Sequence, residues 1–216
     1  MSPRTADPAL RTALVEGAAR LLAEEGAGGL TLRRLAREVG SSTMSVYTHF
    51  GGMDELRHEV RREGFRRLAE HLDRVAPSRD PVFDLGLLGW AYIRNALANP
   101  HLYRVMFMEV VEPDAPAVGY ETFETLVGAV ERAARAGRFT PGDSVERARQ
   151  VWALLHGLLV LHLAHLLSLD EALRASWEGA VTQFIGFGDE PRAARRSMER
   201  MRRSLVLDDA LADPAR

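Results

Sequence analysis

Short hydrogen-bonding side chains crowd into one stretch near the start of the chain, SSTMSVYTHF at residues 41–50. Hydroxyl, phenol and imidazole groups of this kind bind phosphate oxygens and base edges, and Met44 is suited to touch a thymine methyl group. Val46 and Phe50 stand four residues apart, so on a helix they share one apolar face. The polar side chains then form the opposite face: Thr43, Ser45, Tyr47, Thr48 and His49. The stretch predicts a short helix packed on one side and directed at nucleic acid on the other.

The neighbouring residues predict helices that would support this one. Asp7 and Pro8 are typical of a helix start, and Thr31 can cap a second helix that Gly40 ends. Ser42 can cap the short helix itself, and two glycines follow it. Two short helices joined at a glycine and supported by a first helix are typical of a helix-turn-helix, whose second helix enters the major groove.

A local positive patch accompanies the polar helix. The chain as a whole has a net charge of -2, so it does not attract nucleic acid by its total charge. Arg33, Arg34 and Arg37 lie on the preceding helix and are opposed locally only by Glu38. We therefore expect these arginines to supply the positive potential.

The segment LTLRRLAREVGSSTMSVYTHFGGMDEL, residues 30–56, resembles the DNA-binding signature of the tetracycline-repressor (TetR) family. The match departs at Met53, where the family often has a lysine that touches a phosphate. The matching residues are Thr31, Leu35, Ala36, Gly40, Ser42, the Tyr47–Phe50 tetrapeptide and Leu56.

The resemblance implies a role for each residue of this segment. It places these near the bases: Arg33, Ser42, Thr43, Met44, Ser45 and Thr48. It places Thr31, Tyr47 and His49 near phosphates, and Arg34 completes the expected DNA-binding set. The alternative is that these polar residues only coat a solvent-exposed helix.

The whole chain is predicted to be all-α, with a helix-turn-helix domain at residues 8–56, because no sustained strand-type alternation occurs. Its fourth helix is expected to continue to about residue 75, before the boundary APSRDP. A helical ligand-binding and dimerisation domain is expected at 80–188, with EPDAP as one of its loops. An Arg-rich extension, forming a short helix with a frayed end, is expected at 189–216.

The family resemblance implies that this second domain binds a small molecule and dimerises. The segments VWALLHGLLVL at 151–161 and NPHLYRVMF at 99–107 resemble the Trp-His-Gly branch of these regulators. Aromatic and soft side chains can line an apolar pocket, although core packing explains each of them equally well. The candidate ligand-binding residues are Trp90, Arg94, Tyr103, Met106, Phe107, Phe123, Trp152 and His156.

The function expected from the resemblance is a ligand-responsive repressor that binds a palindromic operator as a homodimer. Its last two long helices, carrying Gly157, Ala164, Gly179 and Ala180, are expected to form the dimer across a two-fold axis. The effector is expected to be small and largely apolar. An activator on the same fold is an alternative.

Other classes of function have less support in the sequence. No nucleophile–base pair or phosphate-binding glycine loop indicates an enzyme, and the chain has no cysteine. His156, His162 and His165 leave a haem or metal sensor open as an alternative, but we expect neither a cofactor nor a metal site. These histidines also argue against a membrane span at 151–169. The expected location is the cytoplasm, without a membrane partner.

Overall fold

The structure is a computed structural model that describes the backbone of residues 7–108 and 119–212, and the side chains of residues 7–107 and 119–205. The described residues are helical, without strands, as the sequence predicts. The predicted EPDAP loop lies outside them. The helices are α1 (Pro8–Glu25), α2 (Leu32–Glu38), α3 (Thr43–Phe50), α4 (Met53–Leu72), α5 (Pro81–Ala98), α6 (Pro100–Met108), α7 (Tyr120–Arg135), α8 (Ser144–Leu163), α9 (Leu169–Gly186) and α10 (Pro191–Ala212).

The first compact unit comprises, of the described residues, 7–69, 95–108 and 119. One apolar core joins its helices: Leu14 and Leu21 of α1, Leu35 of α2, Val46 of α3, Leu56 and Val60 of α4, and Leu102 and Val105 of α6. The sequence-based limits assigned α6 to the ligand-binding domain. In the structure α6 packs against α1, because Leu102 and Val105 bury their side chains in this core.

Helix starts agree with the predicted caps at most positions. The carboxylate of Asp7 accepts a hydrogen bond from the Ala9 amide at 2.9 Å, and the Asp143 carboxylate accepts from the amides of residues 145 and 146. At α9 the reciprocal capping box of Ser168 and Glu171 is complete. Each cap satisfies amides that have no partner within the helix.

The second unit comprises residues 70–94 and 120–216, and it includes α10. The predicted short helix is wrong in length, since α10 has 22 residues. Its apolar side is buried through Ala194, Met198 and Met201, which are at most 4% exposed. Burial of this side supports a long helix that its Arg-rich composition alone does not indicate.

An ion-pair network fixes the start of α10 within the second unit. Arg138 donates to both oxygens of Asp189 at 2.7 Å and to Asp80 at 2.7 Å. The hydroxyl of Ser197, on α10, also donates to Asp80 at 2.7 Å, and Arg200 lies 3.4 Å from the same carboxylate. The network therefore ties the residues before α5, the end of α7 and α10 together.

Asp80 makes this network sensitive to acid. Burial opposes ionisation of the carboxyl group, but hydrogen bonds from Ser197 and the Phe83 amide, together with the charges of Arg138 and Arg200, outweigh it. The pKa of Asp80 consequently lies below its ordinary value. Such a carboxylate stabilises the fold above its unfolded-state pKa, and this stabilisation is lost as the pH falls through the folded-state pKa.

Replacing Asp80 with Asn should lower the free energy of unfolding by about 1–3 kcal/mol near pH 7, because a charged partner of Arg138 is lost. The deficit should shrink below about pH 4, where the Asp80 carboxylate of the unfolded wild-type chain begins to protonate while the folded one still resists it. Urea unfolding of both proteins from pH 7 to pH 3 measures it. Asp170→Asn, at an exposed pair with Arg174, is the control and should change stability little. A deficit that does not depend on pH would contradict the prediction.

Candidate nucleic-acid interface and ligand-binding region

The short helix α3 presents the row of polar side chains that the sequence predicts. Val46 is fully buried and Phe50 is 7% exposed, so these two hold the inner face. Met44 is 67% exposed and Tyr47 is 51% exposed. The remaining members of the row are exposed or half-buried: Ser42, Thr43, Ser45, Thr48 and His49. Side chains that can reach a DNA groove therefore share one outer surface.

The turn that precedes α3 positions its first residues. Thr31 caps α2 as predicted, accepting a hydrogen bond from the Arg34 amide at 3.3 Å. Gly40 follows α2 with φ +66°, a left-handed conformation that disfavours residues with a Cβ atom. Ser42 occupies the N-cap position, but its hydroxyl makes no capping hydrogen bond and instead lies 3.1 Å from the Ser45 hydroxyl. These two hydroxyls lie together at the start of α3.

The predicted arginine patch is reduced by pairing with more distant residues. Arg34 binds Glu25 of α1 at 2.6 Å, so an acidic group from another helix opposes the patch in addition to the local Glu38. Glu38 binds Arg20 of α1 at 2.7 Å. Arg33 and Arg37 are exposed and form no ion pair within the described residues. These two are therefore the arginines of α2 available to an anion.

His49 and Thr48 have constrained hydrogen-bonding roles. The Nδ1 atom of His49 is buried and has no hydrogen-bond partner among the described residues. We infer that the neutral ring carries its hydrogen on Nε2, which can then donate, because a buried N–H without an acceptor is rarer in proteins than a buried acceptor without a donor. The hydroxyl of Thr48 donates to the Met44 carbonyl at 2.9 Å, which leaves its oxygen free to accept.

Met53, the predicted departure from the family pattern, packs against the apolar core of the first unit. It therefore acts as a packing residue at the start of α4. Arg11, which sequence reasoning did not select, lies 5.4 Å from the centre of the Phe50 ring and forms an ion pair with Glu59. Only the fold brings these residues together, since they are far apart in sequence.

The second unit contains an aromatic cluster built from α5, α7 and α8. The indole Nε1 of Trp152 donates to the Tyr92 hydroxyl at 3.1 Å, and this hydroxyl lies 3.3 Å from Nδ1 of His156. The Trp152 ring lies 5.7 Å from the His156 ring and 6.1 Å from the Phe123 ring. Burial lowers the pKa of His156, so burial favours its neutral form. Tyr92 is the hydrogen-bonding centre of this cluster, although it was absent from the candidate set.

The remaining candidate ligand-binding residues lie elsewhere. Tyr103 and Met106 are almost fully buried in the first unit, where the Phe107 ring lies 5.1 Å from the Tyr103 ring. Arg94 is exposed, and Trp90 lines a separate cavity. The predicted ligand-binding residues therefore do not form one site: some lie in the first unit, and the others lie in the aromatic cluster, the cavity lining or the surface of the second unit.

That cavity has a volume of about 620 Å³ and lies within the second unit, lined by residues of α5, α8, α9 and α10. Trp90 is its only lining residue from the predicted set. Sequence reasoning missed Trp177 of α9, and it missed Met198 and Met201 because the last helix was treated as an extension outside the ligand-binding domain. The spacing of Ala194, Met198 and Met201, four and three residues apart in the sequence, is the signal that indicates one apolar face on α10.

Two features of the described residues bear on a membrane span and on a metal site. None of them is long and apolar enough to cross a membrane. Among the same residues, no group of three or more His, Asp or Glu side chains is arranged to hold a metal ion. The Nδ1 atom of His162 lies 3.1 Å from the Leu167 carbonyl oxygen, a contact that fits a structural role at the end of α8.

Two family models match the chain and between them cover about two thirds of it. Residues 14–60 match the bacterial regulatory proteins of the tetR family, and residues 85–184 match the tetracyclin repressor-like C-terminal domain. The first match contains α2 and α3, and the second contains the aromatic cluster and most of the cavity lining.

Known proteins resemble the chain over different lengths. It is 23% identical over 186 residues to the HTH-type transcriptional regulator YobS of Bacillus subtilis, covering 86% of this chain and 94% of YobS. It is 39% identical over 90 residues to the HTH-type transcriptional repressor DrrR1 of Streptomyces coeruleorubidus, covering 41% of this chain and 29% of DrrR1. The crystal structure of PfmR, a TetR family transcriptional regulator from Thermus thermophilus, is 20% identical with a TM-score of 0.66, covering 78% of this chain and 95% of PfmR. The last comparison shows a shared fold.

The lowered pKa of His156 predicts a pH-dependent stability. The unfolded chain takes up a proton near the ordinary pKa of 6.5, whereas the folded ring resists it, so stability is lost as the pH falls through this region. His156→Gln should remove a measurable part of this loss between pH 7.5 and 5.5, up to about 1 kcal/mol, since the ring is only partly buried. Urea unfolding measures the difference. His58→Gln, at an exposed position, should follow the wild type, and identical profiles for all three proteins would contradict the assignment.

Proposed function

Since this chain is a DNA-binding transcriptional regulator of the TetR family, we propose that it acts as a homodimeric repressor that a small, largely apolar molecule releases from a palindromic operator. The family matches point to DNA-binding regulation rather than to an enzyme. The observation that carries the proposal is the outer surface of α3, which exposes Met44 and Tyr47 opposite the buried Val46 and Phe50.

The proposed DNA contact places α3 in the major groove. Its first residues would contact base edges together with Arg33: Ser42, Thr43, Met44, Ser45 and Thr48. Thr31, Tyr47 and His49 would bind phosphates, with Arg37 adding positive charge from α2. The paired Arg34 is bound to Glu25, so it would contribute less to the attraction of DNA. The hydroxyl of Thr31, the phenol of Tyr47 and the imidazole of His49 suit the phosphate role, because such groups commonly form hydrogen bonds with phosphate oxygens of DNA.

The proposed dimer forms through α8 and α9. Trp152 and Leu161 on α8 are 37% and 39% exposed, and Leu166 after it is 70% exposed. A side chain at Gly157 would meet no atom within 4 Å, which leaves room for a partner helix. Exposed apolar side chains with small residues between them support a four-helix bundle across a two-fold axis. Two copies of α3 about 34–36 Å apart would then reach successive major grooves.

Repression is proposed from the relatives rather than from the site. DrrR1 and the AcnR proteins of three Corynebacterium species are named transcriptional repressors, and the chain is 39–40% identical to them over their matched segments. The proposed assignment to the Trp-His-Gly branch depends on Trp152, His156 and Gly157. An effector can release DNA only by binding more tightly to a dimer geometry in which the two α3 helices miss their spacing.

Tyr47→Ala should weaken binding to every DNA site by roughly tenfold, because the phenol would bind phosphate and carry no sequence information. Selection from a random duplex library supplies the operator, and fluorescence anisotropy then gives the affinities for this operator and for mismatched variants. Tyr120→Ala, at an exposed position in the second unit, is the control. A change in the ranking of sites, with the affinity for the operator intact, would contradict the phosphate role.

The inferred Nε2–H of His49 can be tested with two amides. The side-chain nitrogen of Gln can occupy the place of Nε2, whereas the shorter Asn side chain reproduces only the position of Nδ1. We expect His49→Gln to bind the operator within about threefold of the wild type and His49→Asn to bind about tenfold more weakly. Anisotropy titrations at one salt concentration compare them, and thermal unfolding shows whether both are folded. Equal losses in two folded variants would contradict donation from Nε2.

A further inference from the structure

The cavity lined by α5, α8, α9 and α10 has the dimensions of a ligand site. Its volume of about 620 Å³ lies within the range of about 300–1,000 Å³ that is usual for small-molecule pockets. Trp90 of α5 and Trp177 of α9 both line it, and Leu155, Leu173 and Leu205 add aliphatic surface. An apolar molecule would therefore find contacts on several sides.

The wall formed by α10 is close to α5 and adaptable in shape. A Cβ atom at Gly86 would lie 3.0 Å from both Met198 Sδ and Met201 Cε, so the glycine permits the close approach of these side chains. Both methionines line the cavity. Their unbranched thioether side chains adjust to guests of different outline more easily than branched residues do.

The charges around the mouth balance one another. Three carboxylates, from Asp170, Glu178 and Glu199, and three guanidinium groups, from Arg174, Arg195 and Arg202, line the cavity. Arg174 binds Asp170 at 2.5 Å, and the Arg195 guanidinium lies 3.7 Å from Glu178. The Arg202 guanidinium lies 5.6 Å from the centre of the Trp177 ring. With equal numbers of opposite charges, the mouth does not select an ion of either sign.

We propose that this cavity binds a neutral, largely apolar small molecule, at a site separate from the cluster of Tyr92, Trp152 and His156. None of these three residues lines the cavity. An apolar guest gains by leaving water, whereas a charged guest would lose hydration and meet lining groups of both signs, Glu199 and Arg202 among them, whose attraction and repulsion oppose each other. The proposal deepens the proposed function by naming a site and chemical class for its effector. It rests on that function only for an effect on DNA, because binding to the cavity requires no DNA.

Two fluorescent probes of matched shape test the proposal. N-phenyl-1-naphthylamine is neutral and apolar, and 1-anilinonaphthalene-8-sulfonate has the same ring system with one negative charge. In titrations of the full chain we expect the neutral probe to saturate at one per chain and to bind at least about tenfold more tightly than the anion. Energy transfer from tryptophan would accompany binding, since Trp90 and Trp177 line the cavity. Equal or tighter binding of the anion would overturn the chemical class.

Variants locate the neutral probe. Ala180 lines the cavity and is 8% exposed, so Ala180→Leu should fill part of the space and weaken the probe at least about tenfold. Leu173→Gln, at a half-exposed position of the wall, should weaken it without overfilling the core. Ala136→Leu is the control, because Ala136 is exposed after α7 and does not line the cavity. Thermal unfolding identifies the folded variants. Unchanged affinity in folded Leu173→Gln and Ala180→Leu would overturn the site.

Protein concentration and DNA separate the remaining outcomes. If a second copy of the chain covered the cavity, probe binding per chain would fall as the protein concentration rises, and this result would overturn the proposal. Operator affinity measured with and without saturating neutral probe then tests regulation. We expect the probe to weaken operator binding. If the chain binds the probe but retards no DNA, the proposed function is refuted and the cavity assignment stands. If the chain binds DNA but not the probe, the cavity assignment is refuted and the proposed function stands.

Discussion

The helix that carries the candidate DNA contacts is too short to maintain itself. Isolated helices of fewer than about 12 residues are marginal in water, and α3 has eight. Burial of Val46 and Phe50 therefore has to supply its stability, at about 2 kcal/mol for each side chain. Because two inner positions hold the helix, the others are free to carry polar groups. Every DNA contact proposed for α3 depends on this one packing interaction with the core of the first unit.

The same core determines which charges remain available. Packing α2 against α1 brings Glu25 to Arg34 and Arg20 to Glu38, so two of the four charged side chains of α2 are neutralised by α1. Arg33 and Arg37 remain exposed. Two of the three arginines of α2 therefore stay available to DNA, and the net charge of α2 is unaffected because its one acidic side chain is paired as well. Dimerisation would add to this in the proposed function, because two such surfaces act on one operator.

The second unit separates two chemical environments. Hydrogen bonds among Trp152, Tyr92 and His156 give one of them a polar centre within an aromatic surrounding. The cavity beside α10 is mainly apolar, with balanced charges at its mouth. The network around Arg138 includes Ser197 and Arg200 of α10, so its polar contacts hold the same turns of the helix that carry Met198 and Met201 in the cavity wall. The ion pairs around Arg138 thus stabilise the fold of the second unit, whereas the apolar lining of the cavity is the part that can contact a ligand.

By itself, the sequence determined the helical class, most helix starts and the polar and apolar faces of α3. These features depend on residues within one or two turns of each other, such as Asp7 with Ala9 or Val46 with Phe50, and local spacing therefore predicts them. Only the tertiary structure decided that Glu25 pairs with Arg34, that α6 belongs to the core of the first unit, and that α10 forms a cavity wall. These relations join residues far apart in the chain, and they follow from how the apolar faces of whole helices pack, which no local pattern encodes.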